Sequence, residues 1–218
     1  MILNGKQIAF LGDSMTEGYG ASCYDYCLVG RFAKKYSNAK IYNYGIGATR
    51  IADQHKPSAM YPHLDHQFFS SRVDQMEENC DVVVIWGGTN DWDGLADAPM
   101  GTALDATPHT FFGGLNDLFN RIQRKYPFAK VIVMTPLHRL NDERPNNRGY
   151  LLTDYVEAIK TVAAKYGFLL LDLYSRIDIN PNDPVSAEKF TFDSLHPNDE
   201  GYRIIFECVD NYLQSIQD

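Results

Sequence analysis

Five short aliphatic runs recur along the chain, at 7–11, 40–44, 81–86, 130–135 and 168–173. Within them apolar side chains are nearly continuous instead of alternating, the pattern of strands covered on both faces. Between the runs the spacing becomes helical. Leu115, Leu118, Phe119, Ile122 and Tyr126 fall on one helix face, and Tyr155, Val156, Ile159, Val162, Ala163 and Tyr166 make a second stripe. Tyr202, Ile205, Phe206, Val209, Tyr212 and Leu213 make a third. Each stripe reads as the core-facing side of a helix. Strand alternating with helix predicts an α/β protein, a five-stranded parallel sheet between two helical layers.

Three segments, 53–71, 93–110 and 138–148, carry neither period. Long irregular stretches in a compact fold are usually binding rims or lids. No repeat, low-complexity tract or linker divides the 218 residues, so the expectation is one domain spanning 1–218. With 44% hydrophobic residues the chain can fill a core. Its 20 Lys and Arg against 28 Asp and Glu leave a charge of −8, which argues against a nucleic-acid partner. The four cysteines, Cys23, Cys27, Cys80 and Cys208, lack a Cys-x-x-Cys pair and read as reduced, packed thiols. No apolar run approaches the ~20 residues that cross a bilayer, and the N-terminus lacks the long apolar region of a signal peptide. A cytoplasmic protein with no membrane partner is the expectation.

Chemistry gathers behind the strands. Gly12-Asp13-Ser14 follows the first run and Gly45-Ile46-Gly47-Ala48-Thr49 the second. Gly87-Gly88-Thr89-Asn90-Asp91 follows the third, Thr135-Pro136-Leu137-His138-Arg139 the fourth, and Asp193-Ser194-Leu195-His196-Pro197 comes after the fifth. Ligands of doubly wound sheets bind beyond the carboxyl ends of the strands. A flavodoxin-like order, 2-1-3-4-5, would set Ser14 between the glycine turn and Asn90. A serine hydroxyl attacks only when a base takes its proton, and His196, with an imidazole pKa near about 6.5, is the candidate. Asp193 could fix the imidazole tautomer. Oxyanion donors would be the backbone N–H groups of Ser14 and of Gly47 or Ala48, with the Asn90 amide. Asp13, Trp92, His138 and Arg139 border the expected site and are candidates for substrate contact.

Alternatives exist for each element. His63, Asp65 and His66 form the best metal-like cluster, which would suit a metal-dependent hydrolase, but they lie far from any strand end. Glycine-rich nucleotide-binding motifs and the Gly-x-Ser-x-Gly elbow are missing from the sequence. Taken singly, Gly-Asp-Ser or Gly-Thr-Asn-Asp could be turns or helix caps. A flavodoxin-like binding module without catalysis is then the alternative.

Taken together, these blocks resemble the SGNH hydrolase superfamily, the GDSL-type esterases and lipases. Gly12-Asp13-Ser14 is similar to block I, the glycine turn after Asn43 to block II, Gly88-Thr89-Asn90-Asp91 to block III, and Asp193-x-x-His196 to block V. The resemblance implies Ser14 as nucleophile, His196 as base, Asp193 as its partner, Asn90 as an oxyanion donor, and the three-layer fold already read. Two positions depart. Met15 replaces the leucine of the family's signature, and Ala48 stands where many relatives have a donor glycine. Alanine tolerates positive φ poorly, so Ala48 can serve easily only at negative φ, and the donor stays Gly47 or Ala48. The expected activity is hydrolysis of a small-molecule carboxylic ester, with a short acyl group such as acetyl on a small or sugar-like alcohol. It would run through a Ser14 acyl-enzyme without metal or organic cofactor. A lipase or lysophospholipase is the nearest alternative.

Overall fold

The computed structural model describes residues 3–53, 60–93 and 98–216, so 54–59 and 94–97 of the irregular segments lie outside the described residues. Five strands, β1 (Gln7–Gly12), β2 (Lys40–Gly45), β3 (Val82–Trp86), β4 (Lys130–Met134) and β5 (Leu169–Leu171), form one sheet in the order β2-β1-β3-β4-β5. Every pairing is parallel. Among the described residues the helices are α1 (Ser14–Glu17), α2 (Leu28–Lys35), α3 (Thr89–Trp92), α4 (Phe111–Lys125), α5 (Leu152–Tyr166), α6 (Leu173–Arg176), α7 (Pro184–Phe190) and α8 (Asp199–Ser215). The fifth strand is shorter than its apolar run. Asp172 ends it by capping α6, its carboxylate accepting from the Ser175 N–H and the Thr135 hydroxyl.

The pleat divides the core. Ala9, Leu11, Val83, Ile85, Val131 and Val133 point to one face, where Leu115, Leu118 and Phe119 of α4 and Ile159 and Val162 of α5 cover them. Ile8, Phe10, Val84, Trp86 and Ile132 point to the other, against Leu28 and Phe32 of α2 and Tyr202, Ile205 and Val209 of α8. Each such buried side chain contributes about 1.5–3 kcal/mol. Two buried faces explain why the strand runs are continuous in apolar residues. The helix stripes end where polar capping begins. Thr110 accepts the Gly113 N–H at the start of α4, and Asn198 accepts those of Glu200 and Gly201 at the start of α8. No helix among the described residues is long and apolar enough to cross a membrane.

β1 lies inside the sheet, with Gly12 level with Gly45 of β2 and Trp86 of β3. The three loops that leave these positions therefore start side by side. Gly12 permits the close fit. A Cβ there would lie 2.0 Å from Thr16 Oγ1 and 2.6 Å from the Trp86 carbonyl oxygen. Gly12→Ala should thus cost about 1–3 kcal/mol by overpacking. An unchanged urea midpoint in that variant would show that the strand ends have room to spare.

Candidate active site

Ser14 opens α1 directly after β1. Asp13 caps this helix, accepting the Met15 N–H at 3.0 Å, and Tyr202 of α8 donates its hydroxyl to the carbonyls of Met15 and Tyr19. The serine is 7% exposed, and its Oγ lies 2.9 Å from His196 Nε2. His196 Nδ1 is 2.7 Å from Asp193 Oδ2. The other carboxylate oxygen accepts the backbone N–H groups of Leu195 and His196, at 3.1 and 2.8 Å. Burial pushes the Asp193 carboxyl up, but those N–H groups and the imidazole outweigh it and hold it below its ordinary value. With the Nδ1 proton directed at Asp193, Nε2 is left to accept the Ser14 hydroxyl proton.

The histidine rides on a loop between α7 and α8. A bridge from Thr191 to Pro197 and the Phe192 N–H on the His196 carbonyl (2.7 Å) close it. Gly20, at φ +91°, lets α1's trailing turn press against this loop, since a Cβ would come within 2.4 Å of the Pro197 oxygen. The Tyr19 ring stands 4.6 Å from the imidazole. From the far side, Leu140 donates to the Ser194 carbonyl, so the loop is braced between two segments. Past Tyr19 opens a cleft of about 890 Å³ lined by Glu17, Tyr19, Ser22, Phe192, Asn198 and Asp199.

The turn after β2 settles which N–H groups are occupied. Ile46 donates to the Gly12 carbonyl, and Gly47 donates to Glu17 Oε2 at 2.8 Å. Among the described residues the Ala48 N–H and the Ser14 N–H have no hydrogen-bond partner. Ala48 adopts φ +59°, the left-handed region, in a turn held by the Ile46 N–H on the Gly12 carbonyl and by the Thr49 N–H and hydroxyl on the Ile46 carbonyl. This left-handed alanine costs on the order of 1 kcal/mol. Asn90, 4% exposed, donates one amide hydrogen to the Thr49 carbonyl at 2.9 Å, and Gly88 at φ +110° makes the bend that brings it there.

Of the four substrate-contact candidates, three have side chains turned into the fold. Asp13 and Trp92 are buried, the first as a helix cap and the second with its indole N–H on the Tyr150 carbonyl. Arg139 lies over the Trp92 ring, donates to Thr89 and pairs with Asp93 at 3.1 Å. All three are spent on the frame of the site because each finds a partner inside the fold. His138 is half-buried, bound to Asp142 at 2.7 Å, with its ring 3.8 Å from that of Tyr174 and tilted 35° to it. The metal-like cluster does not assemble: Asp65 pairs with Arg50, and among the described residues no group of three His, Cys, Asp or Glu could hold an ion.

With this geometry in place, similarity to known proteins can be set beside it. A model of the GDSL-like lipase/acylhydrolase family matches residues 10–204. The chain belongs to that family. It is thus a serine hydrolase acting on ester bonds. The chain superposes on a protein from Lactobacillus plantarum with a TM-score of 0.85 and 26% identity over 100% of both chains. A lipase/acylhydrolase from Enterococcus faecalis gives 0.60 at 21% identity, covering 96% of this chain and 95% of its own. An acetyl xylan esterase gives 0.62 at 20%, covering 96% and 100%. No curated protein sequence matches the chain.

Beneath the acylhydrolase site, Arg72 and Asp91 escaped the sequence reading. Asp91 accepts the Ile51 and Ala52 N–H groups, and burial raises its carboxyl to about 6. Asp13 is raised further. Burial outweighs the Met15 N–H, the Asp91 charge adds to it, and the carboxyl rises from 3.8 to about 7, with Oδ2 buried and unpartnered. A carboxyl with a raised folded pKa takes up a proton on folding. Its contribution to stability is whole below 3.8 and is lost as pH climbs through about 7. Asp13→Asn keeps the capping oxygen without the charge. Its urea midpoint relative to wild type should therefore climb steadily across that pH interval; a constant difference would mean that Asp13 titrates as an ordinary carboxyl.

Proposed function

We propose that this acylhydrolase is a serine esterase that releases a short acyl group, acetate fitting best, from a small or sugar-like alcohol. The contact chain from Ser14 through His196 to Asp193 carries the reading. Ser14 Oγ attacks the ester carbonyl carbon while His196 Nε2 takes its proton, and the Asp193 carboxylate stabilises the resulting imidazolium. The carbonyl oxygen becomes an oxyanion. Its donors are the free N–H groups of Ser14 and Ala48 and the second amide hydrogen of Asn90, fixed before the reaction begins. Gly47 drops out because its N–H belongs to Glu17. The intermediate collapses by breaking the bond to the alcohol oxygen, which takes the proton from His196. Water then attacks the acyl-enzyme, gives its proton to His196, and the acid leaves as Ser14 recovers it.

The leaving alcohol must approach the imidazole that protonates it. The cleft near that side combines the exposed faces of Tyr19 and Phe192 with the Asp199 carboxylate, which already accepts from Ser22 and keeps acceptor capacity facing solvent. Rings beside hydroxyl-bonding groups suit a hydroxylated alcohol better than an acyl tail. The likeness in fold to an acetyl xylan esterase is in keeping with that choice.

Ser14→Ala should abolish both ester hydrolysis and labelling by a fluorophosphonate. Persistent labelling would point to another nucleophile, and chelator-sensitive activity to a metal. Asn90→Ala should lower kcat by roughly 100- to 1000-fold, the usual loss for one oxyanion donor. Across nitrophenyl esters from acetate to palmitate, kcat/KM should fall with chain length; a maximum at the long esters would make the enzyme a lipase instead.

A further inference from the structure

Arg72 belongs to a short 3-10 segment, Phe69–Gln75, and is 3% exposed. Its guanidinium lies over the Phe69 ring and reaches up to the carboxyl edge of the sheet. One nitrogen donates to the Tyr44 carbonyl at 2.6 Å. The other is shared by the Gly12 carbonyl and the Thr49 hydroxyl, each at 3.1 Å. A single planar group thus touches the end of β1 two residues before Ser14, the end of β2, and the residue that follows Ala48. Thr49 is also the residue whose carbonyl orients the Asn90 amide.

We propose that Arg72 is a positioning residue for the oxyanion donors, holding the turn of residues 46–49 so that Ala48 and Asn90 address the same point. The proposal rests on the oxyanion assignment above. Two observations carry it beyond a role in stability. The turn contains a non-glycine residue at φ +59°, a conformation that relaxes unless its surroundings hold it. Glu17 grips this turn from the solvent side through Gly47, and Arg72 grips it from below through Thr49. The position also demands arginine. Three acceptors in two directions match a planar fork with several N–H groups, whereas an ammonium on a flexible stem meets fewer of them with less precision. Burial lowers the Arg72 pKa to about 10, against which the nearby charge of Asp13 favours the guanidinium's charged form.

The test uses the full chain and nitrophenyl acetate. In Arg72→Lys, kcat should fall about 10- to 100-fold, the scale of a donor displaced by roughly an ångström. KM should stay within about two-fold, because only the transition state develops the oxyanion. In the Asn90→Ala background the same substitution should cost less than about three-fold more, since both act on one set of donors. Equal fold-losses in the two backgrounds, or a lower melting temperature with kcat intact, would overturn the proposal. If Arg72→Lys does not fold, Thr49→Val carries the test: it removes the hydroxyl that accepts from Arg72 and donates to the Ile46 carbonyl, and leaves the two strand-end carbonyls. A several-fold loss of kcat that disappears in Asn90→Ala supports the proposal, and wild-type kcat overturns it. Asn90→Ala measured alone separates the two levels. Should it retain full activity, the oxyanion assignment falls and the positioning role with it; should it lose activity while Arg72→Lys does not, only the positioning role falls.

Discussion

Everything at the site depends on the level ending of three neighbouring strands. β1 pairs in parallel with β2 on one side and β3 on the other, so Gly12, Gly45 and Trp86 lie in one row. Parallel pairing fixes direction and register together, and a slip of one residue would turn every core side chain to the wrong face. The row therefore positions Ser14, the glycine turn and Asn90 as tightly as the core positions the strands. Nothing in the loops has to find this arrangement independently. The apolar contacts that hold the sheet between α4 and α5 on one side and α2 and α8 on the other also set the spacing of these three loops.

The polar layer beneath that row runs against the usual economy of a core. Asp13, Arg72, Asp91 and Arg139 are all buried, and single atoms of Asp13, Arg72 and Arg139 have no hydrogen-bond partner. Buried charge is expensive, and replacing such groups by well-packed apolar ones often stabilises a protein. Here each charged group bonds backbone beside Ser14, in or just after the turn that follows β2, or at the residue before Asn90. Asp91 holds the chain just beyond the turn, Arg72 the turn itself, and Asp13 the first turn of α1. The layer exchanges stability for fixed backbone directions, which a methyl-lined core cannot supply.

Much of this was legible in the sequence, and the residues show why. Strands such as Val82–Trp86 announce themselves because burial on both faces leaves no polar position to interrupt the run. The spacing of Asp193 and His196 fits a carboxylate that bonds both its own loop and the imidazole, so proximity in sequence becomes proximity in space. Ala48 was readable as an anomaly but not as a solution, because nothing in composition reveals that Glu17 occupies the Gly47 N–H. Arg72 was hidden by its setting in a polar, aperiodic segment, where an arginine looks solvated. Asp13, Trp92 and Arg139 were placed near the site by their neighbours in sequence, yet their side chains turn inward. Strand order predicts where a backbone emerges and says little about which way the next side chain points.

The loop carrying His196 stands apart from the rest of the machinery. Ser14, Ala48 and Asn90 are anchored to strand ends, whereas the imidazole is held by seven residues, 191–197, braced by Gly20 and Leu140. Two different supports thus meet at the site, the edge of the sheet under Ser14, Ala48 and Asn90 and a separate loop under His196. Substitutions in the attachments of that loop, at Gly20 or around Leu140, therefore shift the imidazole while the register of the sheet stays as it is.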